Sequence, residues 1–147
     1  MDDRRWLTLA CELARLCPPS GTAFSVGAVV VSADGEEIAR GHSREADPHD
    51  HAEEAALAKI APGDPRLPGA TIYSSLEPCG ERRSRQKTCA RLIVESGIRR
   101  VVMAWREPVH FVEGQGAEVL AEAGIAVVEL ADLASLAREP NAHLGAS

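Results

Sequence analysis

The chain has 147 residues, a hydrophobic fraction of 45% and a formal net charge of −6 at pH 7. That length is one domain able to bury an ordinary core, and the composition excludes disorder as the default state. The acidic balance, with a pI near 5.4, argues against general binding to nucleic acid or acidic membranes; no segment reaches the roughly 20 apolar residues that cross a bilayer.

The opening "MDDRRWLTLACELARLC" predicts an amphipathic helix over residues 4–16, with an apolar stripe of Trp6, Leu7, Leu9, Ala10, Leu13, Ala14 and Leu16. It lacks a signal peptide's cleavage pattern, so a cytoplasmic protein is expected. Reducing conditions there disfavour disulfides, and paired cysteines point to metal or catalysis instead. Cys11 and Cys17 fall on different faces of the helix and read as small buried apolar side chains.

"CPPSG" stops the helix. "AFSVGAVVVS" reads as a buried strand, "ADGEE" as a turn and "IARGHS" as the partner strand of a hairpin. After the polar "READPHD", Asp50 is the expected N-cap of a helix over about 51–61, ended by Pro62-Gly63. "GATIYSS" is a short strand, "CARLIVESG" a helix with Gly97 as C-cap, and "RRVVMAW" a strand. "GQGAEVLAEAG" is a helix, "IAVVEL" a strand and "ADLASLAREPNAHL" a terminal helix.

From residue 70 onward strand and helix alternate, which calls for parallel strands joined by right-handed crossovers. With the leading antiparallel hairpin, residues 1–147 form a single α/β domain. The expected architecture is a three-layer αβα sandwich around a mixed, mainly parallel five-stranded sheet, and in such folds sites gather at the carboxyl ends of strands.

The loop after "GATIYSS" occupies that position. It reads "EPCGERRSRQKTC", placing Cys79 at a strand exit and Cys89 at a helix entrance, where unpaired N–H groups favour thiolate, the metal-binding form. Two thiolates leave a zinc site short, since a catalytic zinc takes three protein ligands and a water. His51, at another helix entrance and two residues before Glu53, is the third candidate. His51-Ala52-Glu53 with Pro78-Cys79 matches the H-x-E…P-C pattern of zinc nucleobase deaminases, but the second cysteine follows after nine intervening residues rather than two.

"HAEEAAL", "GATIYSSLEPCGERRSRQKTCARLIVESGIRRVVMAWREP" and "VEGQGAEVLAEAGIAVV" together resemble the deaminase domain of the riboflavin-pathway pyrimidine deaminases, within the cytidine deaminase superfamily. That family has a long polar loop between its zinc cysteines, and the resemblance spans roughly residues 4–130. It implies His51, Cys79 and Cys89 as Zn2+ ligands and Glu53 as the proton shuttle, moving protons from a zinc-activated water to a ring nitrogen and the departing amine. Because i and i+2 do not face each other on a helix, His51 must stand at the helix mouth, and Glu54 reads as a solvent-facing neighbour.

The resemblance also implies substrate contacts. Arg85 holds the place of a basic residue that grips phosphate, and Lys87 adds a point charge. His42 falls where the family carries a substrate-side histidine. Ala23 stands in place of a substrate-holding asparagine, with Phe24 adding an apolar face, and Val109-His110-Phe111 replaces a second Asn-Pro loop.

The expected activity is zinc-dependent hydrolytic deamination of a small aminopyrimidine, phosphoribosylated as in the riboflavin pathway. Other substrates in the class are cytidine- or deoxycytidylate-type compounds and specialised-metabolite nucleobases. A non-catalytic zinc module would not need Glu53. An editing deaminase acting on nucleic acid is disfavoured by the negative charge and by only five aromatics (Trp6, Phe24, Tyr73, Trp105, Phe111). A homodimer is expected by analogy.

Overall fold

A computed structural model describes residues 2–79, 88–106 and 116–144. Five helices and five strands alternate as α1 (Asp3–Ala14), β1 (Gly27–Val31), β2 (Glu37–His42), α2 (Ala52–Leu57), β3 (Thr71–Ser74), α3 (Cys89–Ser96), β4 (Arg100–Met103), α4 (Gly116–Glu122), β5 (Ala126–Glu129) and α5 (Ala134–Arg138). The sheet order is β2-β1-β3-β4-β5. β1 runs antiparallel to both neighbours, while β3, β4 and β5 are parallel. Four of the five strands therefore point the same way, and the expected mixed sheet is observed. No helix among the described residues is long and apolar enough to cross a membrane.

Strand burial follows the sequence pattern. β1 and β3 are buried at every position, as central strands covered on both faces must be. α1 and α5 pack on one face, and α2, α3 and α4 on the other. α1 lies so close to the sheet that a Cβ on Gly27 would collide with the carbonyl of Ala10, so glycine is the residue that permits this approach. Asp3, at the start of α1, ties the helix to the sheet: it accepts from Tyr73 Oη at 2.6 Å and takes two bonds from the Arg100 guanidinium at 2.9 and 2.7 Å. The Arg100 hydrogen bonds hold its carboxyl down at about 2, against the opposing effect of burial.

Several boundaries differ from the sequence expectation. α1 ends at Ala14, and Leu16 beyond it is 65% exposed. Cys11 is buried as expected, but Cys17 is only half-buried, its thiol 3.5 Å from the carbonyl of Val26. α2 covers 52–57 rather than 51–61. Lys59 and Ile60 already bond three residues back, the tightening that closes a helix ahead of Pro62. The terminal helix is broken into a 3-10 turn at Ala131–Leu133, α5, and a second 3-10 stretch at Glu139–Leu144, with Pro140 unable to donate to a continuing helix.

Candidate metal and catalytic centre

The N-cap of α2 is His51 itself, not Asp50. Its backbone is extended (φ −91°, ψ 158°), so the imidazole leaves the helix mouth instead of following the helical spiral. Asp50 instead closes the preceding loop, its Oδ2 accepting from the backbone N–H groups of Ala46 and Asp47. Glu54 also departs from expectation. Its Oε1 accepts from the His51 backbone N–H at 3.2 Å, half of a capping box, so it holds the residue that carries the imidazole.

Cys79 leaves β3 through Ser75–Pro78, a segment fixed on both sides. Ser75 exchanges bonds with Gly27, its N–H donating to the Gly27 carbonyl and its Oγ accepting from the Gly27 N–H. The Glu77 N–H donates to the Trp105 carbonyl, while Glu77 Oε2 accepts from the Ala117 N–H at the start of α4. Gly116 packs against the Pro78 carbonyl so tightly that a Cβ there would collide with it. Cys89 is the first residue of α3, behind Thr88, whose side chain caps Arg91 N–H. The Cys89 N–H donates to Cys79 Sγ at 3.1 Å.

These three entrances converge. The donor atoms of His51, Cys79 and Cys89 all lie within 4.8 Å of one another. His51 Nδ1 is 3.5 Å from Cys79 Sγ and 3.3 Å from Cys89 Sγ. Tetrahedral zinc with ordinary Zn–N and Zn–S bonds places such atoms roughly 3.5 Å apart, so the donor set fits that ion. The hydrogen bond with the Cys89 side chain is the largest influence on the Cys79 thiol; with the His51 ring and the Cys89 backbone N–H it outweighs burial and holds the thiol down at about 5, the thiolate character a metal requires.

Glu53 is the buried acid beside this cluster, 3% exposed. Burial, and then the negative charge at Cys79, raise its carboxyl above the ordinary carboxylate range. Strand register explains its partner. Gly27 faces α1, so Ala28 faces α2, and Ser74 pairs with Ala28 on that same face. Ser74 Oγ consequently reaches Glu53 Oε2 at 2.9 Å.

Of the other expected site residues, His42 ends β2 beside Gly27, its Nδ1 3.0 Å from the Ser43 carbonyl. Ala23 and Phe24 enter β1 at the sheet end that carries the cluster. The Phe24 ring meets Trp105 edge-on with centroids 5.5 Å apart. Arg85, Lys87 and the Val109-His110-Phe111 stretch lie outside the described residues. Sequence reasoning missed Ser74, Glu77, Trp105 and Gly116. Only Glu77 carried a local signal, its place directly before Pro78-Cys79.

Residues 1–105 match the family model described as the cytidine and deoxycytidylate deaminase zinc-binding region. The "Diaminohydroxyphosphoribosylamino-pyrimidine deaminase" of Schizosaccharomyces pombe is 40% identical over 126 residues, covering 84% of this chain and 31% of that protein. The RibD of Acinetobacter baumannii superposes with a TM-score of 0.81 at 33% identity, over 97% of this chain and 39% of that one. The chain thus spans about a third of the length of the curated relatives it matches. A dCMP deaminase from the cyanophage S-TIM5 shares the fold, with a TM-score of 0.67 at 22% identity over 87% of this chain and 96% of that one. The chain belongs to the cytidine and deoxycytidylate deaminase family, and within it to the branch of the riboflavin-pathway pyrimidine deaminase domains.

Proposed function

We propose that the chain is a zinc-dependent hydrolytic deaminase of a small aminopyrimidine that carries a ribosyl phosphate. The observation that carries this reading is the convergence of His51, Cys79 and Cys89 with a buried Glu53 two residues from the imidazole. Among the described residues this cluster offers three ligands rather than four, the number a catalytic zinc site takes from protein and a closed structural site does not. Bound zinc supplies Lewis acidity, which acidifies a water at the open position.

The protein's part is proton handling. Ser74 holds the Glu53 carboxyl at Oε2, and that carboxyl carries the proton. Glu53 takes it from the water and delivers it to a ring nitrogen, which makes the amino-bearing carbon electrophilic. A second transfer goes to the amine, so that water is consumed and ammonia leaves. The raised affinity of Glu53 for protons suits a group that must both accept and return one.

Phe24 and Ala23 form an apolar wall for the ring, His42 stands at the substrate side, and Arg85 with Lys87 grips the phosphate. The S. pombe relative's name specifies such a phosphoribosylated pyrimidine, which favours this substrate over a cytidine nucleotide. A cytoplasmic setting keeps the four cysteines, none of them in a disulfide, reduced. A homodimer, checked by sedimentation, remains part of the proposal.

The test is ammonia release from diaminohydroxyphosphoribosylaminopyrimidine and from dCMP, with zinc counted per chain. Glu53→Gln is expected to keep one zinc and lose activity by about a hundredfold or more. Retained turnover would remove Glu53 from proton transfer. Faster release from dCMP would transfer the chain to the nucleotide reading. Arg85→Ala is expected to raise KM for the phosphorylated substrate far more than for its nucleoside.

A further inference from the structure

Residue 44 is the one described non-glycine residue with a positive φ, at 57°. That left-handed angle is disfavoured for any residue bearing a Cβ, and it persists where surrounding bonds over-determine the backbone. The Arg44 N–H donates to the Asp50 carbonyl at 2.8 Å, one residue before the His51 cap. Its half-buried guanidinium reaches the other way, across to the segment that enters β1. Nε and Nη2 donate to the Pro18 carbonyl at 3.1 and 2.8 Å, Nη1 to the Phe24 carbonyl at 3.0 Å, and Nη2 to Ser25 Oγ at 2.7 Å.

This segment, residues 18–25, has no strand or helix to hold it. β1 is antiparallel to β3, so the chain enters β1 at the end where β3 exits toward Cys79 and β4 exits toward Trp105. A second clamp closes from the C-terminal 3-10 stretch. Asn141, 1% exposed, accepts from the Ser25 N–H at 2.6 Å and donates to the Ser25 carbonyl at 3.0 Å, satisfying both backbone groups of one residue. The Phe24 ring is thereby carried against Trp105 with little freedom. A five-donor fork bridging three residues of one loop fixes its position in a way a point charge does not.

We infer that Arg44 is a positioning residue for substrate: its guanidinium, with Asn141, sets the 18–25 segment so that Phe24 stands as a rigid wall of the pyrimidine site. The inference rests on the placement of Phe24 beside the substrate in the proposed function. It assigns to Arg44 an effect on binding, not on the metal or the proton transfer. A wall displaced by about an ångström costs up to a hundredfold in productive substrate placement.

Two variants separate the guanidinium from the backbone. Arg44→Lys keeps the charge and the strained angle but loses the fork. Arg44→Gly relieves the angle and removes the side chain. With the diaminohydroxyphosphoribosylaminopyrimidine as substrate, both are expected to raise KM about tenfold or more. In both, kcat should stay within about threefold and zinc at one per chain, and the amides of residues 18–25 should exchange faster with deuterium. Phe24→Ala is expected to raise KM similarly. Unchanged KM in Arg44→Lys and Arg44→Gly, with Phe24→Ala impaired, overturns the inference and leaves the wall standing. Zinc loss with a fall in kcat at constant KM also overturns it, by assigning Arg44 to the His51 side. If Phe24→Ala leaves KM unchanged, or the wild type releases no ammonia, the functional reading fails and the inference with it. Faster loop exchange in the Arg44 variants then shows a clamp without a substrate role.

Discussion

Ser74 Oγ stands 2.9 Å from Glu53 Oε2, with both residues almost wholly withdrawn from solvent. The same hydroxyl is 2.7 Å from the Leu76 carbonyl. A hydroxyl has one proton to give and lone pairs to accept with, so Ser74 stays bonded to Glu53 whether the carboxyl carries a proton or not. Ser74→Ala is expected to lower kcat by about ten- to a hundredfold, the equivalent of one hydrogen bond to a charged group at about 1.5–3 kcal/mol. KM and zinc content should hold within about twofold. Steady-state kinetics with metal analysis checks this, and an unchanged kcat would remove Ser74 from the chemistry.

The neighbouring glutamates divide their work. Glu54 accepts the His51 backbone N–H, so Glu54→Ala is expected to destabilise the protein by about 1 kcal/mol, as the loss of a capping contact does. Zinc should be surrendered more readily to a chelator, while the zinc-loaded enzyme keeps its kcat. Glu54→Gln retains an acceptor oxygen and should stay near wild type. Thermal melts with and without chelator distinguish these outcomes from the Glu53→Gln result.

Gly116 begins α4, where alanine would ordinarily favour the helix. Its missing Cβ leaves room for the Pro78 carbonyl, directly ahead of Cys79. Gly116→Ala is therefore expected to reverse the usual sign and cost about 1–3 kcal/mol through overpacking, with less zinc bound per chain as Cys79 is displaced. A higher melting temperature at full zinc content would show that the contact is not tight.

Asp3 supplies a pH dependence far from the site. Its folded carboxyl titrates at about 2, below the ordinary 3.8, chiefly because Arg100 hydrogen-bonds the charged form. A depressed folded pKa stabilises the protein above the unfolded value, and that contribution is lost as pH falls through the folded one. The difference in urea midpoint between wild type and Asp3→Asn should be constant above about pH 4 and shrink toward pH 2. A difference that does not vary across that window would mean the Arg100 pair adds nothing.

What the sequence determined by itself was periodic or local. The alternation of strands and helices after residue 70 dictated parallel pairing, and the α1 stripe, the Gly97 cap and the fully apolar β1 were readable because each depends on near neighbours. The ligand types were readable for the same reason: His51-x-Glu53 and Pro78-Cys79 are short motifs whose chemistry follows from residue identity. Even the need for His51 to stand outside the helix followed from i, i+2 geometry, and its extended backbone satisfies it. Competition among candidate caps was not readable. Asp50 is a good cap by type, but the backbone N–H groups of Ala46 and Asp47 claim its carboxylate, leaving the cap to His51.

The tertiary structure alone decided which polar groups meet across the sheet. Ser74 finds Glu53 because the β1–β3 register turns it toward α2, and a one-residue slip would turn it away. Gly116 meets Pro78 across 38 residues of chain, and Arg44 and Asn141 reach the same serine from 19 and 116 residues further along the sequence. Such contacts leave no periodic trace, because they are set by how strands align and helices dock, while a sequence pattern records only which face of each element turns inward.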